Sequence, residues 1–490
     1  MKLSLPNSCI GCPFYQYKDH SNNGFIPDKV VPNSEVYFLA QNGGTNEVNG
    51  HKIVKRHFFG FGQYIDDIKD TKPEPLIGAT GLLFNDKFLP LTGLTRDQVS
   101  LGNAIRCRPG RALGLKADEL PKITTTMKLE SSNADIVKAL KHCKEAHFHP
   151  PNSTKLVVTM GRYAMFIMTG IQNEESEYGK KQGVVQSWRG YAVDIPNFVS
   201  NITTPASCYH DLLGDKSVLF TMHIAALFQG RNKHLYHATL QDFSKIKRLL
   251  NKTWPKPLPS WSNKPPTSWP KYSAFDTEYN PEDNSLIRFS LCDAASDTFL
   301  MTPKLYVIES IDIPQNRITI EPGSTVIMQN ALADVSHLAN IVDFTQVKVE
   351  DLMLAHSVLW TGEPHSLNYI ASVYGAFNRY KHLSKDNPEL YSALDAYEPM
   401  YIWRNSIIPD FKKDQQSWLI YRRYRLPLIN IINKAQQTGV KINNLMLNRV
   451  QEVLHKRCEE IREAGKLITG DNKFNIGGSK RMKEEIYGLI

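Results

Sequence analysis

The chain has 490 residues, of which 58 are Lys or Arg and 49 are Asp or Glu, giving a formal charge of +9. A hydrophobic fraction of 41% with 22% charged residues is enough to build real cores, so a collagen, a coiled coil and a wholly disordered chain are excluded. At ordinary domain sizes of roughly 100–200 residues, this length predicts about three domains.

No run of about 18 apolar residues lacks a charge or a breaker, so no membrane span is expected. Met1 to Tyr15 is not a signal peptide, because Pro6, Asn7 and Cys9 interrupt its short apolar stretch. Without an export signal, the seven cysteines are expected in the reducing cytoplasm, where metal or cluster binding is favoured over disulfides. The modest positive excess suits nucleic acid without establishing it.

The first motif is Cys9-Ile-Gly-Cys12. Alone it reads as a zinc half-site, a cluster half-site or two ordinary thiols. Cys107 follows in Asn103-Ala-Ile-Arg-Cys107-Arg-Pro, and Cys143 lies at a His/Lys-rich helix end. Four thiolates satisfy either a tetrahedral zinc or a 4Fe–4S cluster. The spacing from Cys12 to Cys107 is too long for a small zinc ribbon, so the ligands would come from separate elements of one domain. Residues 36–40, 98–106 and 156–160 are predicted strands; Gly43 and Gly44 follow the first, and Gly161 with an apolar helix through Met168 follows the last. Strand, glycine turn and helix make the grammar of an α/β domain with a parallel sheet.

Residues 5–234 resemble the iron–sulfur uracil-DNA glycosylases. The resemblance rests on Cys9-x-x-Cys12-Pro, Val36-Tyr-Phe-Leu-Ala, Pro75-Leu-Ile-Gly78-Ala-Thr-Gly81, Gly93-Leu-Thr-Arg, Asn103 to Pro109, and Leu156-Val-Val-Thr-Met-Gly161. It implies that Cys9, Cys12, Cys107 and Cys143 ligate a 4Fe–4S cluster; Cys208, Cys292 and Cys458 fall outside the pattern and are expected as buried or surface thiols. The family's Gly-Glu-x-Pro-Gly motif reads Ala40-Gln41-Asn42-Gly43-Gly44 here, so its acid is an amide. The aromatic that stacks on a flipped uracil is Leu76; base–aromatic stacking is worth about 1–3 kcal/mol. The late His-Pro motif is matched to Tyr209-His210-Asp211, while Asn103, suited to reading a uracil edge, remains. The expectation is a glycosylase fold that keeps its cluster, binds DNA or shapes its neighbour, and has lost most or all excision chemistry.

Residues 251–270 hold Pro255, Pro257, Pro259, Pro265, Pro266 and Pro270 and read as an extended linker. Beyond it, residues 271–279, 286–292 and 326–328 are predicted strands, with helical patterns from about Ala333 to Tyr397. Asp276 and Glu278 fall at a spacing of two, on one face of a strand. Two carboxylates on one side repel unless cations sit between them. Asp334 opens a helix in Asn330-Ala-Leu-Ala-Asp334, and Tyr391 and Asp395 share a helical face at i and i+4. Such oxygen ligands suit a pair of hard divalent ions, Mg2+ or Mn2+.

This order resembles the proofreading 3′→5′ exonuclease domain of family A DNA polymerases, with a DnaQ-like, RNase H-like fold, over residues 272–403. The motifs are Phe275-Asp276-Thr277-Glu278, Asn330 to Asp334, and Tyr391 to Asp395, with Asp351-Leu-Met-Leu-Ala355-His356 and Pro364-His365-Ser366-Leu367 between. The resemblance implies that Asp276, Glu278, Asp334 and Asp395 hold the metals and Tyr391 orients the attacking water. Asn330 and Leu332 would meet the DNA, Leu332 against the 3′-terminal base.

A second seam is expected near Pro409 to Gln416. Beyond it, Leu447, Val450, Leu454, Cys458 and Ile461 form one apolar stripe of an amphipathic helix that Asn443 or Asn444 can cap. Tyr421-Arg-Arg-Tyr-Arg, Thr438 to Asn443, and Phe474-Asn-Ile-Gly-Gly-Ser479 resemble the start of a family A polymerase module. Arg422, Arg423 and Arg425 read equally as phosphate contacts or as a solvated face.

The expected architecture is therefore α/β throughout the front: a glycosylase-like parallel-sheet domain over residues 1–250, an exonuclease domain over 271–408, and a helical segment over 409–490. Neither palm carboxylates nor a nucleotide-binding helix is found, so this chain alone is not expected to synthesise DNA. It looks like the front of a longer polymerase of phage type, with DNA and the downstream polymerase half as partners. A cluster-bearing DNA clamp with a vestigial nuclease is the alternative from a different class. An active glycosylase with a passenger nuclease is a third reading, which the changes at Gln41 and Leu76 oppose.

Overall fold

The computed structural model describes residues 2–19, 23–60, 63–108, 134–169, 173–175, 181–183, 185, 188–194, 216–228, 235–266, 269–280, 282–283, 285–294, 303–312, 318–338, 342–344, 346–381 and 383–470. Cys208, Tyr209, His210, Asp211 and residues 474–479 lie outside them. The chain forms two compact units, Met1–Pro427 and Leu428–Ile490. No helix among the described residues is long and apolar enough to cross a membrane.

The first unit opens with β1, Val36–Asn42, whose five leading residues are all buried. A continuous apolar run suits a strand covered on both faces. A hairpin of β2 (His51–Gly60) and β3 (Gln63–Asp70) follows. It was not anticipated, because lysines and aspartates interrupt its apolar residues. Next come β4 (Ser100–Ile105), β5 (Leu156–Met160), β6 (Ala192–Asp194) and β7 (Ser217–Thr221), giving the sheet order β4-β1-β5-β7-β6. All pairings are parallel except β6 with β7. Helices α1 (Ala134–His147) and α2 (Arg162–Thr169) cover the face bearing Tyr37 and Leu39. Helix α3 (Tyr236–Leu250) covers the face bearing Phe38 and Ala40, stacking Phe243 on Phe38 at 5.8 Å.

The second sheet contains β8 (Tyr272–Tyr279), β9 (Leu286–Asp293), β10 (Lys304–Glu309), β11 (Thr325–Met328) and β12 (Lys348–Asp351), in the order β10-β9-β8-β11-β12. β9 runs antiparallel to both neighbours, whereas β8, β11 and β12 are parallel. This mixed 3-2-1-4-5 order is RNase H-like. The region expected to be helical throughout resolves into α4 (Ala331–Leu338), α5 (Leu352–Leu359), α6 (Leu367–Tyr374) and α7 (Pro388–Ile402), with β12 inserted. β12 is only four residues long, too short for a period to register in the sequence.

The proline-rich stretch is extended but fastened. Trp254 is buried and donates its indole N–H to the Gly375 carbonyl at 3.0 Å, and Ser262 N donates to Leu305 O at 2.8 Å. The two sheets therefore share a seam. Across it Arg189 reaches Ser372 Oγ at 2.7 Å, and buried Lys245 donates to the carbonyls of Gly190 and Ser372, both at 2.6 Å. Residues through Tyr421 belong to the core of the second sheet, where the rings of Phe411, Trp418 and Tyr421 pack together.

The second unit holds α8 (Leu428–Thr438) and α9 (Asn444–Thr469). Asn443 caps α9, accepting from Met446 N at 3.1 Å. Its stripe residues Leu447, Val450, Leu454 and Ile461 are exposed.

Candidate functional site

β8 alternates, so Asp276 and Glu278 leave the same face. Helix α7, which Asn387 caps by accepting from Leu390 N at 3.2 Å, lies across β8 and β9. Its Ser392 carbonyl accepts from Ser290 Oγ at 2.8 Å, which fixes the turn carrying Tyr391 and Asp395 over the strand. Asp276, Glu278 and Asp395 consequently place carboxylate oxygens within 4.8 Å of one another, the one such ligand set among the described residues. Asp334 stands beside this trio and not in it. It opens α4 and accepts from Thr277 Oγ1 at 2.6 Å.

The chemistry of these donors fits divalent cations. Asp276 Oδ2 is buried with no hydrogen-bond partner. Burial, then the charges of Asp395, Asp334 and Glu278, push the Asp276 carboxyl well above the usual carboxylate range. Burial likewise pushes Asp334 up to about 7, against the bond from Thr277. A hard cation with oxygen ligands removes both penalties. Cysteine or histidine is absent from the trio, as expected for Mg2+ or Mn2+ and not zinc.

Supporting residues set the site's frame. Asp351 Oδ1 caps α5 by accepting from Leu354 N at 3.0 Å, while Oδ2 accepts from Ala331 N at 2.8 Å. One carboxylate thereby orients the helix that carries Asp334. Asn330 has a φ of +63°, a left-handed conformation that asparagine tolerates better than most residues. It is exposed, and Leu332, two residues on, is half-buried. Gln329 Nε2 donates to His365 O at 2.9 Å, and His365 is bonded through Nδ1 to His356 Nδ1 at 2.8 Å. Arg422 is engaged by Glu350 at 2.5 Å, whereas Arg423 and Arg425 are exposed.

Sequence reasoning missed two residues at the trio. Tyr380 donates its hydroxyl to Asp395 Oδ1 at 2.6 Å. Lys381 Nζ lies 2.5 Å from Asp395 Oδ2 and 3.1 Å from the Tyr391 hydroxyl. Both come from the loop before α7, outside every motif, and Tyr-Lys in a loop carries no local signal.

In the first fold, Cys9, Cys12, Cys107 and Cys143 are all buried and unpaired. They act on one another electrostatically. A hydrogen bond from Cys12 pulls the Cys143 thiol down to about 6 against its burial. Burial and Cys143 push Cys9 up to about 11, and burial, Cys143 and Cys9 raise Cys107. Three buried thiols gathered about a thiolate fit a group that would ligate all four as thiolates. Arg106 fixes the end of β4 next to Cys107 through its ion pair with Asp28 at 2.6 Å and a bond to His147 O at 3.1 Å. Cys292 is buried in β9, and Cys458 is exposed on α9.

The residues matched to glycosylase motifs gather at the carboxyl ends of the parallel strands, the edge at which α/β sheets bind ligands. Gln41 ends β1, with Oε1 at 3.5 Å from Tyr163 N. Gly161 has a φ of +89°, and a Cβ there would lie 2.8 Å from Gln41 and from His223. His210 lies outside the described residues; His223, two residues past β7, stands beside Gly161 together with Gln41. Burial pulls it down to about 4, so it is neutral. Asn103 is fully buried, its Nδ2 3.4 Å from Glu47 Oε2 and its Oδ1 without a partner. Glu47 also accepts from Leu76 N at 2.6 Å and Gly44 N at 3.0 Å. Leu76 is buried at a φ of +56°.

No family model matches the chain. It is similar to the type-4 uracil-DNA glycosylase of Sulfurisphaera tokodaii, 24% identical over 243 residues, which is 49% of this chain and 80% of that protein. Among solved structures it is similar to NrnC of Brucella melitensis, with 17% identity, 37% of this chain, 96% of that one and a TM-score of 0.27. It is also similar to the catalytic core of RRP6 from Trypanosoma brucei, with 13% identity, 33% of this chain, 46% of that one and a TM-score of 0.26. RNase D of Escherichia coli is a further such structure, with 15% identity, 34% of this chain, 46% of that one and a TM-score of 0.26. This chain spans less than half the length of the last two. The architecture is the expected one: a glycosylase-like parallel sheet, an RNase H-like α/β sheet and a helical C-terminal part.

The raised Asp334 carboxyl makes a stability prediction. A carboxyl whose folded pKa exceeds its unfolded value contributes stability below the unfolded value and loses it as pH rises through the folded one. In EDTA, Asp334→Asn is expected to gain on the unaltered chain as pH rises from the usual Asp value of 3.8 to about 7, then no further. The gain should reach about 4 kcal/mol, at about 1.4 kcal/mol per pKa unit. Urea unfolding at stepped pH measures it; a pH-independent difference refutes it.

Proposed function

We propose that this chain is the front part of a family A DNA polymerase of phage type and works as a metal-dependent 3′→5′ proofreading exonuclease. The observation that carries this reading is the buried, partnerless Asp276 oxygen inside a carboxylate trio. Its substrates are single-stranded 3′ ends of DNA and frayed primer–templates, its further partner is the downstream polymerase half, and its place is the cytoplasm of the host cell. The names of RRP6, NrnC and RNase D fit a nuclease fold but do not support the choice of DNA; the motif order of Asp276, Glu278, Asp334, Tyr391 and Asp395 does.

In this mechanism Asp276, Glu278, Asp334 and Asp395 hold two Mg2+ or Mn2+ ions. When bound, such ions activate a water and stabilise the leaving oxygen of a phosphodiester. The chain's own residues do the rest. Tyr391 orients the attacking water by its hydroxyl. Leu332 packs against the 3′-terminal base and Asn330 holds the strand beside it. Asp351 keeps α4 in place so that Asp334 faces the trio.

Cys9, Cys12, Cys107 and Cys143 hold a 4Fe–4S cluster on this reading, supported by their mutual burial and by the likeness to a type-4 glycosylase. The fold around them binds DNA without excising uracil. Gln41 replaces the family's acid, and Asn103 is sealed behind Glu47.

Three measurements test these statements. A 5′-labelled single strand in Mg2+ or Mn2+ should shorten from its 3′ end, and Asp276→Ala/Glu278→Ala should abolish the ladder. No digestion by the folded, metal-loaded chain refutes a self-sufficient nuclease. Anaerobic purification should give a brown protein with about four irons per chain; a colourless protein holding zinc refutes the cluster while keeping its ligands. Uracil-containing DNA should release no more free uracil than with a Gln41→Ala/Asn103→Ala chain, and release well above that level restores the glycosylase reading.

A further inference from the structure

The loop Gly375–Lys381 joins the two folds at the trio. From the glycosylase-like side, Trp254 Nε1 donates to Gly375 O at 3.0 Å, and Lys256 N donates to Ala376 O at 2.9 Å. Ala192 N, in β6, donates to Asn378 Oδ1 at 3.2 Å. The Arg379 guanidinium lies 4.3 Å from the ring centre of Trp188, a core residue of the first fold. From the nuclease side, buried Glu398 accepts from Ala376 N at 3.0 Å and Phe377 N at 3.1 Å. The next two residues are Tyr380 and Lys381, which occupy both oxygens of Asp395. Seven residues of chain thus run from the glycosylase-like core to a candidate metal ligand.

Lys381 does two things there. Its ammonium lies against the carboxylates and offsets their repulsion. It also donates to the Tyr391 oxygen, which leaves the tyrosyl hydrogen to be aimed at another acceptor. The ring of Tyr391 lies 4.5 Å from the same ammonium, so the lysine fixes the phenol from its face as well.

We propose that Lys381 is a positioning residue of the nuclease site and that the glycosylase-like fold sets it in place through residues 375–379. The first fold then serves the nuclease in cis, and its retention no longer depends on uracil. The proposal rests on the nuclease reading above. It goes beyond that reading by assigning a role to the first fold and to a residue in none of the motifs.

The test uses the full chain and two readouts: digestion of a 5′-labelled single strand, and Mn2+ binding followed by electron paramagnetic resonance. Lys381→Met should lower kcat by about 10- to 100-fold with little change in KM. It should bind Mn2+ at least as tightly as the unaltered chain, because no ammonium competes for Asp395. Lys381→Arg should recover part of kcat. Asn378→Ala/Arg379→Ala, which removes the two contacts to the first fold, should lower kcat by about 3- to 30-fold with Mn2+ binding and the melting transition retained. Unchanged kcat in Lys381→Met, or loss of Mn2+ binding together with activity, overturns the role of Lys381. Unchanged kcat in the Asn378/Arg379 chain overturns the coupling to the first fold. An unaltered chain that neither binds Mn2+ nor digests DNA removes the nuclease reading itself, and the proposal with it.

Discussion

Like-charge repulsion among buried carboxylates is the constraint on which the rest of the second fold depends. Asp276, Glu278 and Asp395 converge from a strand and a helix, with Asp334 at their side. Such a cluster is unfavourable unless cations answer it. The backbone around it is correspondingly over-determined. Ser290 ties α7 to β9, Asp351 ties α4 to α5, and Asn387 caps the helix that carries Tyr391 and Asp395. A site built for ions must hold its ligands before the ions arrive, and these contacts do so with ordinary hydrogen bonds.

The seam between the sheets obeys the same logic with the opposite sign. Arg189 is a cation taken out of water, and Asp242 faces it at 3.3 Å. Burial pulls the neighbouring Lys245 amine down to about 7, against the charge of Asp242, and it donates to two carbonyls beside the face of Trp254, 4.7 Å away. Breaking one partner of such a set leaves a buried charge without compensation, which is strongly destabilising. The proline-rich stretch is thus part of a joint and not a tether. Proline density spoke rightly for an extended backbone, but composition has no way to say what an extended backbone lies against.

What the sequence revealed and what it hid divide along a physical line. Alternation on β8 placed Asp276 and Glu278 together, and helical spacing placed Tyr391 over Asp395, because both relations are local. Asn443 as the cap of α9 was legible for the same reason. Tyr380 and Lys381 were not, since a loop aims its side chains by tertiary contacts, here with Glu398, Ala192 and Trp188. Glu47 was missed because its three hydrogen-bond partners come from separate segments.

On the proposed reading, the pattern of change in the first fold has a mechanical explanation. Excision needs a few side chains at that edge of the sheet; Asn103 remains, but Gln41 stands where the family has an acid and Leu76 where it has an aromatic. The four thiols do other work. Cys9 and Cys12 belong to the N-terminal segment, Cys107 follows β4 and Cys143 lies on α1, so a shared cluster would pin three distant pieces of chain to one point. Trp188 packs in that same core, against Phe220 at 5.6 Å, and presents its ring to Arg379. Loss of the crevice chemistry leaves this core untouched. Loss of the thiols would loosen it, and with it the loop that carries Lys381 to Asp395.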